Sequence, residues 1–316
     1  MFMLATILSA IAPVFVIIMV GMLLGRLGFP GPDFWRGADR LCYWVLFPCL
    51  LFAKISELDI SPHLITMVAG SAYLGFFSSL IFILISTKLS GMDQPLRTSV
   101  LQGGCRHNTF VALAIAQGLF GMEGLALATL VSAFLIPMTN IAIVTSMVTM
   151  LAKPGGQNLF QAIIKDLIRN PLLVGLALGF LANFSGLAPI PLISTTALSI
   201  GQAALPLILL SVGASITWSG SGRVLVPFGV SAMGKFVIFP TMLMVGGLLL
   251  GAEPMLLAVL LVFGTVPTAA SSYTLAASMG GDSPAMASII TWQTALSFLT
   301  LPVSLLVVFS LFGLIS

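Results

Sequence analysis

Two stretches decide how this chain reads. Residues 101–121 run LQGGCRHNTFVALAIAQGLFG, and residues 260–281 run LLVFGTVPTAASSYTLAASMGG. Each is an apolar run of membrane-spanning length, interrupted near its middle. The first carries Gly103, Gly104, Arg106, His107 and Asn108 at its centre, the second Gly264, Pro267, Thr268, Ser271 and Ser272. Proline lacks an N–H and starts a helix well, so Pro267 suits the first turn of a second half-helix. Irregular backbone at mid-membrane depth is tolerated only where it is buried or lines a cavity. Two half-helices would then aim their N-termini at the membrane centre, where free N–H groups and helix dipoles favour an anion.

The rest of the chain provides the membrane. Of 316 residues, 59% are hydrophobic and 7% charged, against roughly 25% charged in an ordinary soluble domain. That composition excludes a soluble enzyme, a nucleic-acid binder and a disordered chain. The net charge of +3 is the small basic excess of cytoplasmic loops rather than a nucleic-acid footprint. Cys42, Cys49 and Cys105 all lie in apolar stretches and read as packing residues, not as a disulfide framework or a metal site.

A spanning helix needs about 20 mostly apolar residues. Ten such stretches predict an all-α integral membrane protein: 4–25, 38–56, 62–87, 98–120, 124–151, 170–188, 191–215, 223–250, 254–279 and 284–313. The odd-numbered connections carry Arg26, Arg36, Arg40, Lys88, Arg97, Lys153, Lys165, Arg169 and Arg223, and the even ones only Lys54. By the positive-inside rule the odd loops are cytoplasmic. The chain is then a multi-pass protein of the cell (inner) membrane with both termini on the extracytoplasmic side. The stretch 159–169 is amphipathic and reads as an interfacial helix.

Shifting the sequence by 158 pairs Pro13 with Pro171, Gly21 with Gly179 and Pro48 with Pro206. A shift of 159 pairs Pro95 with Pro254, Asn108 with Pro267, Gly121 with Gly280 and Glu123 with Asp282. The halves are 1–152 and 159–316, five spans each within a single membrane domain. An odd number of spans per repeat forces opposite orientations, which is the inverted-repeat architecture of many secondary transporters.

Two cations are embedded deeply. Arg106 follows Arg97 by nine residues, about 13 Å of helix at 1.5 Å per residue. Lys235 lies twelve residues past Arg223. Ionisable residues at such depth are costly and mark function by default; the alternative is a side chain that snorkels or holds a backbone carbonyl. The acids all sit near loop ends, so the embedded cations point to an anionic substrate. Lys235 and His107 are the candidate coupling groups, each weighed against a packed, hydrogen-bonded role. Gln102, Asn140, Gln202, Tyr273 and Gln293 read as residues that join helices, and Glu123 and Asp282 as caps of the following helices. No phosphate-binding GxxxxGK[ST], no HExxH and no GxSxG is present, so the sequence describes neither an ATP-driven motor nor an enzyme.

The residues at the two breaks resemble those of the auxin efflux carrier family, bacterial malonate-transporter-like members included. The likeness is carried by Arg106-His107-Asn108-Thr109-Phe110, by Leu119 to Ala126 (LFGMEGLA), by Asn170-Pro171, by Val266-Pro267-Thr268-Ala269 and by Leu275-Ala276 running to Gly280-Gly281-Asp282. It implies a fold similar to that of bile-acid symporters, ten spans in two inverted repeats. Spans one, two, six and seven would form a scaffold, and the others a mobile transport body in which spans four and nine cross at the substrate. Asn108 matches the span-four asparagine of the plant carriers. Pro267 is followed here by Thr268 and Ala269, so the second amide of that pattern is missing, which argues against auxin.

The expectation is a secondary transporter of a small organic anion, a carboxylate such as malonate, working by alternating access. Asn108, Arg106, Thr109, Pro267, Thr268, Ser271 and Ser272 would form the substrate site. No cofactor or metal is expected, and proton coupling is favoured over sodium. The expected partners are the substrate and the lipid bilayer, with no nucleic acid; dimers of related folds keep a homodimer open. The rival readings are a sodium-coupled symporter of a larger amphipathic anion and an anion channel.

Overall fold

The computed structural model describes residues 2–151, 159–185, 190–216 and 225–312. Lys153 and Arg223 lie outside these residues. The described chain is helical throughout, with no strand. It comprises α1 (Phe2–Arg26), α2 (Pro32–Leu41), α3 (Phe47–Glu57), α4 (Pro62–Leu89), α5 (Gln94–Cys105), α6 (Thr109–Met150), α7 (Leu159–Arg169) and α8 (Pro171–Phe184). These are followed by α9 (Pro191–Gln202), α10 (Ala204–Ala214), α11 (Leu225–Met233), α12 (Phe239–Leu249), α13 (Pro254–Thr265), α14 (Ser271–Met279) and α15 (Ser283–Phe312).

By length and composition, six described helices can cross a membrane: 7–26, 62–89, 94–150, 191–214, 225–249 and 283–312. The stretch 94–150 takes in two of the expected spans. Its second part, α6, is two helices joined at Gly121, whose non-helical φ of 61° and ψ of −143° only glycine adopts freely, so the connection expected at 121–123 is a sharp kink. Expected spans two, six and nine are built instead from shorter helices. The amphipathic stretch 159–169 forms α7.

Local chemistry sets the ends. Ser61, Asp93, Asn108 and Asn170 each accept a backbone N–H from the first turn they precede, which satisfies donors that a helix start leaves open. Asp282 accepts from Ala285 N at 2.9 Å, in the capping role its position predicts. Two helices contain a widened π turn, Cys42–Leu46 and Gly234–Ile238, and each is followed two residues later by a proline, Pro48 and Pro240. A proline within a helix removes a donor and crowds the carbonyl four residues back. The wider turn, with Phe47 N donating to Cys42 O and Phe239 N to Gly234 O, accommodates both helices without a break.

The helices pack in two groups. In one, α1 lies along α10, and α3 lies along α8 and α9; in the other, α4 packs on α12 and α5, and α13 packs on α6, α12 and α15. Glycines allow the closest approaches in the first group. A Cβ at Gly21 would stand 2.0 Å from Leu210 O, and one at Gly213 would stand 1.9 Å from Ile18 O. Asn183 on α8 closes the end of α3, its Nδ2 donating to Ile55 O at 2.9 Å and Leu58 O at 2.7 Å. Lys54, assigned from sequence to an even-numbered loop, instead lies in the last turn of α3 and is buried. The cysteines are free; Cys42 and Cys105 are buried and Cys49 half-buried.

Candidate functional site

The two interrupted stretches are both broken helices, and they meet. The first breaks between α5 and α6, at Arg106 to Asn108; the second breaks between α13 and α14, at Val266 to Ala270. Arg106 and Val266 are both extended, with ψ near 150°. Asn108 N donates to Pro267 O at 2.8 Å, so the residues that the 159-residue shift equates touch in space.

Hydrogen bonds cross the junction repeatedly. Thr268 Oγ1 donates to Gly103 O at 2.8 Å, and Thr268 N donates to Gln293 Oε1 at 3.1 Å. Gln293, from α15, returns its Nε2 to Gly103 O at 2.9 Å. The Ser79 hydroxyl, from α4, faces Gly104 O at 2.9 Å and Gly234 O at 3.2 Å. Gln293 thus joins helices as its sequence position predicts.

The deep cations take different surroundings. Arg106 is half-buried, and its Nη1 donates to Gln102 Oε1 at 3.4 Å, back along α5. Lys235 is fully buried; its Nζ donates to Phe263 O at 3.0 Å and stands 4.6 Å from the centre of the Phe239 ring. His107 is 5% exposed, edge-on to Phe263 at 5.4 Å, and neither ring nitrogen has a hydrogen-bond partner among the described residues.

A cavity of about 900 Å³ borders the junction. Asn108 and Phe110 line it from the first break and Ser271 from the second; Arg40, Ser211 and Thr291 line it from α2, α10 and α15. The cap of α14, Ala270, offers no side-chain bond to that helix's first turn; Ser272 N and Tyr273 N donate instead to Ala269 O at 3.0 Å and Ala270 O at 3.1 Å, and the positive end of the helix dipole lies at the cavity wall. A second hollow of about 530 Å³ lies between α1, α6 and α10, bordered by Ser9, Pro13, Gln117 and Pro206.

Of the residues expected to bind substrate, Asn108 and Ser271 line the large cavity. Arg106, Thr109, Pro267, Thr268 and Ser272 are not among its lining residues, nor are Lys235 and His107. Thr268 is occupied in the junction, and Ser272 is fully buried, its hydroxyl without a partner among the described residues. Sequence reasoning missed Asp39, Arg40, Tyr43 and Thr291 as lining residues. The Ser211 hydroxyl donates to Asp39. A usable signal was present: Arg40, Tyr43 and Trp44 have the spacing that places side chains on one helix face.

The profile of the membrane transport protein family matches residues 6–305. No curated protein matches the chain. The matched residues take in both broken helices and the helices on either side of them, and the chain belongs to the membrane transport protein family, the auxin efflux carrier family whose motifs its two breaks resemble.

Proposed function

We infer that this chain is a secondary active transporter, a permease that moves a small organic anion across the cell membrane by alternating access, with a carboxylate such as malonate as its substrate. Membrane transport follows from the family. The observation that carries the finer reading is the junction itself. Asn108 and the side-chain-uncapped start of α14 lie on the wall of one cavity, and Asn108 N is tied to Pro267 O. The positive end of a helix dipole at a cavity wall favours a carboxylate. Asn108 Nδ2 and the Ser271 hydroxyl supply further donors. Arg106 and the other residues of the junction set the field and hold the shape.

The fold for this function is ten spans in two inverted repeats, 1–152 and 159–316, with spans four and nine crossing. Packing supports it. The repeat exchanges the pair of spans one and seven with the pair of spans six and two, and these are the contacts of α1 with α10 and α8 with α3. Alternating access is supported by the two hollows. The larger is bordered by Arg40 and Ser283, beside odd connections, and the smaller by Ser9 and Met122, toward even ones and the N-terminus. With the odd loops cytoplasmic and both termini outside, the large cavity faces the cytoplasm. His107, whose ring nitrogens are both unbonded among the described residues, is the candidate coupling group, and protons are favoured over sodium.

Counterflow of labelled malonate and other small carboxylates in proteoliposomes tests the reading. Saturable counterflow without channel current is expected, weakened in Asn108→Ala; malonate exchange equal in the two proteins refutes the site. One observation favours a second reading. The cavity is large and includes Tyr43, Trp44, Phe110 and Tyr273 in its lining, which suits a larger amphipathic anion. Replacing sodium with choline during uptake separates a sodium-coupled symporter of that kind from the proton-coupled carrier.

A further inference from the structure

Lys235 sits where the break in α13–α14 begins. Its ammonium donates to the carbonyl of Phe263, within the last turn of α13, where helix carbonyls lack partners and the dipole is negative. It also lies over the face of Phe239. Both contacts are ones a cation makes better than a neutral group. Among the described residues it forms no ion pair, since the pair found there is Arg36 with Asp33. The corresponding position in the other break is handled differently. Gly104, which the 159-residue shift equates with Phe263, has its carbonyl bound by the hydroxyl of Ser79. One break is therefore closed by a neutral group and the other by a charge.

We propose that Lys235 is an electrostatic positioning residue: it closes the end of α13 and, without touching substrate, holds a positive charge beneath the junction that makes the cavity select anions over neutral analogues. Phe263 lies four residues before Pro267, two steps of helix and two extended, about 10 Å of chain; Pro267 O meets Asn108 N, and Asn108 lines the cavity, so the ammonium is on the order of 10–15 Å from an anion held there. At that separation, with an effective dielectric near 20, one unit charge changes anion affinity by roughly tenfold. A neutral ligand of the same shape feels almost none of it. Lys235 therefore contributes to selectivity by charge, separately from the hydrogen bond that shapes the helix end. This rests on the anion-transport reading.

The test is the ratio of affinities for malonate and its uncharged dimethyl ester, measured by thermal shift on the purified protein. The variants are Lys235→Gln, Lys235→Met and Lys235→Arg. Gln keeps an N–H donor for Phe263 O but removes the charge; Arg keeps the charge. The expected result is a malonate-to-ester ratio about tenfold lower in Lys235→Gln and Lys235→Met, and within about threefold of the parent in Lys235→Arg. A purely structural lysine would shift both ligands together and leave the ratio unchanged, which overturns the proposal. Failure of both neutral variants to fold while Lys235→Arg folds overturns it too, because the charge then serves the fold. If the parent protein itself shows no preference for malonate and other small carboxylates over their esters, it is the anion-transport reading that fails.

Discussion

The two broken helices reach the same shape by different means. The first, between α5 and α6, satisfies itself with neutral groups: Asn108 caps α6 through its own side chain, and the end of α5 is bound by Ser79, Thr268 and Gln293. The second, between α13 and α14, has a charged group on its first half and no side-chain cap on its second. The difference divides the labour. The first break is a finished structural element that lends one polar side chain, Asn108, and the Phe110 ring to the cavity. The second holds a cation on α13, and the first turn of α14 is closed by backbone carbonyls alone, so the proposed anion would meet the helix dipole there without displacing a side chain.

That contrast can be broken by substitution. The largest effect is expected at Asn108, which serves both roles. Asn108→Ala removes a cap worth about 1 kcal/mol and a donor to a charged ligand worth roughly 1.5–3 kcal/mol. Carboxylate affinity in counterflow should fall about tenfold or more, with a modest drop in melting temperature. Next come paired glycine substitutions, read by thermal unfolding in detergent. A Cβ at Gly264 would meet the Cβ and Cα of Pro240 at 2.6 and 2.7 Å, a rigid ring and backbone. A Cβ at Gly103 meets Ile289 Cγ2 at 2.7 Å and Ser231 Cβ at 3.0 Å, side-chain atoms that a small shift of their helices relieves. Gly264→Ala should cost about 1–3 kcal/mol. Gly103→Ala should cost less, because it presses on side-chain atoms rather than on a proline ring and backbone; alanine's better helix propensity, up to about 1 kcal/mol, favours both variants alike. Equal costs would mean that the two breaks are equally deformable.

Smaller still is Thr268→Val. It removes one of two donors to Gly103 O and should destabilise by about 1 kcal/mol, leaving the Gln293 bonds in place. The smallest effect belongs to Ser272→Ala. Its hydroxyl is buried without a partner among the described residues, so its removal should leave the melting temperature unchanged or slightly raised. Weaker malonate binding in that variant would instead bring Ser272 into the anion site.

Hydropathy located the helices well because length and apolarity are local properties. The breaks were legible for the same reason: Gly103-Gly104 and Pro267 announce themselves along the chain. What the sequence did not show was direction. Arg106, expected at the substrate, places its Nη1 on Gln102, a partner one helical turn away. Thr268, expected there too, bonds Gly103 and Gln293, both distant in sequence. Depth can be counted from residue numbers, but the partner a side chain chooses depends on helices that arrive from elsewhere. Arg40 and Tyr43 were overlooked for the converse reason: Arg40 read as a loop charge for orienting the chain, while the cavity takes it in as part of its wall.

The glycine contacts between α1 and α10 carry a mechanical consequence. At Gly21 and Gly213 each helix presses a backbone carbonyl into the space where its neighbour lacks a side chain. A slide along that seam would carry each carbonyl out of its glycine notch and toward side chains one turn away on the same face, Ile17 on α1 and Leu209 on α10. The seam is therefore a weld, not a bearing, and α1 and α10 travel or stay still as one plank. Any sliding in this protein has to run along the looser surfaces where α6 and α15 lie against that plank.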